Sequence, residues 1–219
     1  MDESQFPARI LIADDHPIVF VALAEMLKTA FGQARVVLDS VADGDSLLFR
    51  LQTGAWGYLV LDLRMPGRLS GAPLLQAALA MQPSLQVMIY TVMEYPCLAQ
   101  ALLDLGARAF VSKSSGSPVA IDAISAVIAG NVYVDPRIDL EAARKHPWYQ
   151  LTSGEREVMI ALARGKNLQA IAIDSNRSYK TITVHKYNAL RKLGLRSKSE
   201  IGYYLEHHGL DYLLQIEVA

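Results

Sequence analysis

The chain has 219 residues, of which 52% are hydrophobic and 20% charged, and its net charge is −1. That balance excludes a disordered or fibrous chain, and a single cysteine, Cys97, excludes a disulfide framework. No run of about 18 uninterrupted apolar residues occurs, and the start Met1–Gln5 is acidic and polar rather than basic then apolar, so a cytoplasmic protein without membrane spans is expected.

The charge is unevenly spread. Residues 1–149 hold 11 basic and 15 acidic side chains, whereas residues 152–198 hold 10 basic and 3 acidic ones. An acidic first part followed by a basic block implies two tasks, the basic block being the part suited to a polyanion.

In chain order, short apolar runs alternate with amphipathic stretches. Arg9–Ala13 reads as a buried strand, 17–30 as a helix, Ala34–Leu38 as a strand and 43–53 as a helix. Tyr58–Leu61 is a third strand, 71–81 a helix, Leu85–Tyr90 a fourth strand and 95–105 a helix. Ala109–Val111 is a short fifth strand and 117–129 a closing helix. This alternation predicts an α/β unit with a doubly wound, parallel five-stranded sheet covered on both faces. The stretch 131–149, with Pro136, Pro147 and a charged run, reads as a linker between a unit over 1–130 and one over 150–219.

From Leu151 the pattern is helical only. Thr152 and Glu155 form a capping-box spacing, and helices are expected at 153–164, 167–174, 178–193 and 197–207, with Gly165 and Gly194 at helix ends. Four short helices with short turns predict a small all-α helix-turn-helix domain.

The strand ends carry the candidate chemistry. Asp14 and Asp15 follow the first strand, Asp62 the third, Thr91 the fourth and Lys113 the fifth, and in a parallel sheet these ends share one edge. Each acid taken alone would be an ordinary strand-end cap; the set is what points to a site. Converging carboxylates need a compensating cation, and Mg²⁺ suits oxygen ligands. Asp15, Asp62 and the Arg64 backbone carbonyl would ligate it, with Asp14 acting through water. Asp62 could then attack phosphorus, while Lys113 pairs with one phosphoryl oxygen and Thr91 hydrogen-bonds another.

In the basic block, Ser178 caps a helix whose Ile182, Ala189 and Leu193 share an inward face. His185, beside them, reads as a packed structural residue. The other face carries Lys180, Thr183, Val184, Lys186, Tyr187 and Arg191. That mixture suits a helix in a DNA groove, with cations for phosphates and shorter groups for base edges.

Residues Ile10–Pro17, Leu61–Pro66, Thr91 and Gly106–Lys113 together resemble the receiver domain of bacterial two-component response regulators. The resemblance implies phosphorylation of Asp62 by a sensor histidine kinase with Mg²⁺ required. It also implies a switch in which Thr91 moves toward the phosphoryl group and the aromatic ring of Phe110 follows inward. Residues Leu151–Val158, Gly165, Ile171, Ala172, Ser178, Lys180–Ile182, His185 and Lys192–Gly194 resemble the LuxR-type DNA-binding domain of the NarL/FixJ class. That resemblance implies base contacts from Thr183, Val184 and Tyr187, and phosphate contacts from Lys180, Thr181, Lys186 and Arg191. It further implies a homodimer on double-stranded DNA, with 197–207 as a common dimer surface.

Three departures from the family pattern stand out. Gly71 lies nine residues after Asp62 where the family has eight, so the loop 67–70 is one residue longer; Phe20 replaces a usually charged residue; and Ser175 replaces a usual leucine.

The leading expectation is a transcription regulator whose DNA binding is controlled by phosphorylation of Asp62. An alternative keeps DNA binding but uses the receiver as a phosphorylation-independent dimerisation or partner module. An enzymatic reading, a phosphatase with Asp62 as nucleophile, is disfavoured because Arg64 stands where such enzymes need a second acid.

Overall fold

Six short strands, the central ones strongly apolar, pair into one sheet in the computed structural model, which describes residues 7–215. The order is β2-β1-β3-β4-β5-β6, and every pairing is parallel. The strands are β1 (Ala8–Ala13), β2 (Val36–Val41), β3 (Tyr58–Leu61), β4 (Gln86–Thr91), β5 (Ala109–Ser112) and β6 (Tyr133–Val134).

The sheet therefore has one strand more than the five expected. β6 is two residues long, too short for a period-2 pattern to show, and it pairs with β5 through Ala109↔Tyr133 and Phe110↔Val134. β2 also begins later than expected, because Gln33–Arg35 forms a 3-10 turn first.

Both sheet faces are covered, as continuous apolar strands require. Ile10, Ile12, Val60, Met88, Tyr90, Ala109 and Val111 form one core with Leu23 and Leu27 of α1 (Pro17–Phe31) and with Ala120, Ile121, Ile124 and Val127 of α5 (Ser117–Ile128). Alternate residues Leu11, Leu61, Val87, Ile89 and Phe110 point the other way and are just as deeply buried. In chain order α2 (Gly44–Thr53) links β2 to β3, α3 (Gly71–Met81) links β3 to β4, and α4 (Pro96–Asp104) links β4 to β5.

The chain divides into two compact units, Met1–Glu94 with Ala101–Ile138, and Tyr95–Gln100 with Asp139–Ala219. The stretch 131–149, read as linker, is structured: it holds β6, helix α6 (Leu140–Lys145), capped by Asp139, and the start of a 3-10 turn, Pro147–Gln150.

The helices that follow are α7 (Ser153–Ala163), α8 (Leu168–Asp174), α9 (Tyr179–Leu193) and α10 (Ile201–His207). The expected 197–207 helix is shorter at its start, where Lys198–Glu200 is a 3-10 turn. The Thr152–Glu155 capping box forms, and such caps are worth about 1 kcal/mol. Val158, Met159, Ile182, Ala189, Ile201 and Leu205 make the core of this helical unit, each fully buried.

Candidate functional site

The strand order changes direction between β1 and β3, and in an open α/β sheet the crevice beyond those carboxyl ends is where ligands bind. Ala13 and Leu61 are paired at the ends of these strands, so the next residues, Asp14 and Asp62, leave the sheet side by side. Their backbones are pinned: Asp62 N–H donates to the Ala13 carbonyl at 2.9 Å and Asp14 N–H to the Val41 carbonyl at 3.0 Å.

Lys113, directly after β5, crosses to both acids. Its Nζ lies 2.6 Å from Asp14 Oδ2 and 2.8 Å from Asp62 Oδ2, with the three side chains only 13%, 3% and 4% exposed. Burial works against the ammonium's charge, but hydrogen bonds to Asp14 and Asp62 outweigh it and raise the Lys113 pKa above its ordinary value. The same ammonium lies 6.0 Å from the Tyr90 ring, whose phenol burial pushes upward in pKa.

Asp15, Asp14 and Asp62 are joined by a residue that the sequence reading did not single out. His16 Nδ1 stands 2.7 Å from Asp15 Oδ1 and 3.3 Å from Asp14 Oδ1, and its backbone N–H donates to Asp14 Oδ1. One ligand atom from each of Asp14, Asp15, His16 and Asp62 falls within 4.8 Å of all the others. Three carboxylates in such a cluster suit a hard, oxygen-seeking cation. The only sequence signal for His16 was its position next to the acidic pair.

Arg64 contributes its backbone amide, which donates to Asp62 Oδ1 at 3.2 Å. Thr91 is the last residue of β4 rather than the first after it; it is fully buried, and its hydroxyl accepts the Met93 N–H at 3.4 Å. Phe110 lies in mid-β5 and is already fully buried, so the ring expected to follow Thr91 inward occupies an inner position in this structure.

The longer loop after β3 is anchored to the start of α2. Gly44 N–H donates to the Pro66 carbonyl at 2.8 Å, and Arg68 reaches Asp45 through both its backbone N–H and its guanidinium, the latter at 2.8 Å. Gly67 packs so closely that a Cβ there would stand 3.0 Å from the Gly44 nitrogen. The lengthened loop is thus held against the start of α2.

In the helical unit, α8 and α9 are joined by a tight turn in which Asn176 takes a left-handed conformation, φ 50°, unusual for a residue other than glycine. Ser178 caps α9 by accepting the Thr181 N–H. Lys180, Val184, Tyr187 and Arg191, spaced three or four apart, form one exposed stripe, with Val184 49% and Tyr187 63% exposed. Thr181 is exposed beside them. Thr183 is partly covered, its hydroxyl donating back to the Tyr179 carbonyl, and Lys186 lies over the Tyr187 ring at 4.6 Å.

Ile182, Ala189 and Leu193 are buried on the opposite side, as their spacing required. His185 packs at the start of α7: a Cβ on Gly154 would meet its Nε2 at 3.1 Å. Lys192 Nζ stands 2.7 Å from the buried Glu155 Oε2 and ties α9 to the α7 cap. No helix among the described residues is long and apolar enough to cross a membrane.

Residues 10–125 match the response regulator receiver domain family, and residues 149–204 match the bacterial regulatory proteins of the luxR family. Similar curated proteins include the nitrate/nitrite response regulator protein NarP of Escherichia coli K12, 31% identical over 88% of this chain and 91% of its own length. The transcriptional regulatory protein UhpA of Salmonella typhimurium is 31% identical over 89% of this chain and 95% of its own. Among solved structures, RcsB from Salmonella enterica serovar Typhimurium, bound to promoter P1flhDC in the presence of a phosphomimetic, superposes with a TM-score of 0.64 at 28% identity, covering 90% of this chain and 97% of that one. With two family matches in the expected order and relatives aligned along nearly their whole length, the chain belongs to the response regulators of the NarL/FixJ class, a receiver domain followed by a luxR-type helix-turn-helix.

Proposed function

We propose that a sensor histidine kinase phosphorylates Asp62 and that this controls sequence-specific binding of double-stranded DNA by α9, and through it transcription. The observation that carries the reading is that Lys113 Nζ reaches within 2.8 Å of both Asp14 and Asp62, the acids at the sheet's switch point. In this reading the receiver spans 1–130, the DNA-binding domain 150–219, and the protein acts in the cytoplasm as a homodimer when active.

An Asp62 carboxylate oxygen attacks phosphorus, the donor's P–N bond breaks, and the departing imidazole takes a proton. Asp14, Asp15, Asp62 and the Arg64 carbonyl would hold Mg²⁺. When bound, that ion would offset the charge of the phosphoryl oxygens. Lys113 leaves its bond to Asp62 for a phosphoryl oxygen, and Thr91 donates its hydroxyl to another. The added charge favours one of two receiver conformations, as phosphorylation does elsewhere. On α9, Thr183, Val184 and Tyr187 face base edges, while Lys180, Thr181, Lys186 and Arg191 hold phosphates, with Ser178 at the helix start.

The test is incubation with Mg²⁺ and acetyl phosphate, read by intact mass and by size-exclusion elution. A single phosphoryl adduct on the native chain, absent from Asp62→Ala, with altered elution, is the expected result. No adduct with DNA binding intact would overturn it in favour of a phosphorylation-independent regulator.

A further inference from the structure

Beside the acidic site lies a second polar network that the phosphoryl chemistry does not use. Ser112, the residue before Lys113, is fully buried, and so is Asp135, at 1% exposure, just after β6. Asp135 accepts a backbone donor on each carboxylate oxygen: Ser112 N–H reaches its Oδ2 and Arg137 N–H its Oδ1, both at 3.0 Å. Its own amide donates to the Phe110 carbonyl at 2.9 Å and its carbonyl accepts the Ile138 N–H at 2.9 Å. The turn 135–138, where the chain leaves the first unit, is thereby fastened to β5.

Glu94 closes this network from the other side. It lies three residues after Thr91, in the loop between β4 and α4. Its Oε1 accepts the Ser112 hydroxyl at 2.6 Å and lies 3.5 Å from Arg137 NH2. The Ser112 bond holds the Glu94 carboxyl below its ordinary pKa range. An exposed Glu–Arg pair is worth little alone. Here one partner is preset by the bond to a buried hydroxyl, which reduces the entropy lost in forming the pair. Glu94, Ser112, Asp135 and Arg137 all belong to the first unit.

We propose that Glu94 is a positioning latch: it holds the turn 135–138 through Arg137 while Asp62 is unmodified, and it lets go when Thr91 is drawn toward a phosphoryl group. This rests on the phosphorylation reading above. Thr91 and Glu94 share one short loop, Val92 and Met93 alone lying between them, so a displacement of Thr91 toward Asp62 moves the Glu94 backbone. Ser112 and Asp135 are held by buried backbone bonds and do not follow. The contacts that yield are those of Glu94; without that hold on the Arg137 side chain, the Arg137 and Ile138 amides open more often from Asp135, which stays in place, and the segment they begin leads into α6. The two arrangements form a bistable element of the kind that coupling between sites requires.

Hydrogen exchange of the full-length chain, read at the Arg137 and Ile138 amides with and without Mg²⁺ and acetyl phosphate, tests this. Phosphorylation should speed exchange several-fold in the native chain. Glu94→Ala should exchange fast beforehand and change little on phosphorylation, with its adduct yield unaltered. Glu94→Gln keeps an acceptor for Ser112 but loses the charge facing Arg137, and should behave at these amides like Glu94→Ala; native behaviour would overturn the latch. So would an adduct on the native chain with unchanged exchange. If the native chain takes no phosphoryl group, the phosphorylation reading fails separately. The unphosphorylated chains then still decide the hold on the turn: faster exchange in Glu94→Ala supports it, and equal exchange overturns it.

Discussion

Lys113 Nζ stands 2.8 Å from Asp62 Oδ2, so the residue expected to meet a phosphoryl oxygen is, in this state, the counter-ion of the carboxylate that would receive it. Together with its bond to Asp14, it makes Lys113 the charge that allows two buried acids to lie together.

Removing that charge gives the first prediction. Lys113→Ala should destabilise the first unit by about 3–5 kcal/mol in Mg²⁺-free buffer, the usual cost of leaving a buried charge uncompensated. Added Mg²⁺ should stabilise the variant more than the native chain. Urea unfolding followed by the buried Trp56, with Trp148→Phe in both chains, measures both effects. Equal responses to Mg²⁺ would show that the acids do not depend on Lys113 for their compensation.

The exposed stripe on α9 separates into two kinds of effect. Lys180→Ala and Arg191→Ala should each lower the slope of log K against log salt by about 1, with sequence preference kept. Tyr187→Ala or Val184→Ala should leave the slope unchanged and relax preference at one base pair by about 1–3 kcal/mol. Anisotropy titrations over a salt series distinguish these, and a changed slope for Tyr187→Ala would contradict its assignment to base edges.

Ser175, at the C-cap of α8, stands where the family usually has leucine. Its hydroxyl turns back to the Ile171 carbonyl at 2.6 Å, and an open hollow of about 300 Å³ lies beside it, lined by the buried Val158, Ile171 and Ile182 and also by the charged Glu157, Lys166 and Asp174. Ser175→Leu should fill part of that space and stabilise the unit by about 0.5–2 kcal/mol, the range typical of cavity filling. A higher urea midpoint reported by Trp148 is the expected outcome; a lower one would mean that the hollow cannot accept the side chain.

The helical unit should also lose stability in mild acid. Burial, and then the neighbouring His208, push the His146 pKa from 6.5 down to about 4, and its Nδ1 accepts the Trp148 N–H at 3.3 Å. The folded state therefore holds this ring neutral where the unfolded chain would protonate it. Its contribution is present in full above pH 6.5 and is lost as pH falls toward 4. Trp148 fluorescence in a Trp56→Phe background should show urea midpoints dropping across this window, and His146→Gln should flatten the drop.

The acidic site was legible because its residues stand at strand ends, and a parallel sheet brings such ends to one edge whatever the details of packing. Asp14, Asp62 and Lys113 needed only correct strand order to meet. His16 and Glu94 were not legible, since nothing in their spacing says which way a loop side chain turns. β6 escaped notice for a different reason: its two residues pair because β5 offers a free edge, a property of the sheet rather than of Tyr133 and Val134. In the helical unit, periodicity alone separated the buried Ile182, Ala189 and Leu193 from the exposed stripe.

By itself the sequence determined the α/β and helical units, the strand-end acids and the cationic helix, because hydrophobic periodicity and turn chemistry are local properties of the chain. The tertiary structure alone decided that Lys113 bridges Asp14 and Asp62, that Phe110 is already inside, and that Glu94 reaches Ser112 and Arg137. Those relationships join residues far apart in the chain, and their distances are set only when the whole sheet and its connecting loops have packed.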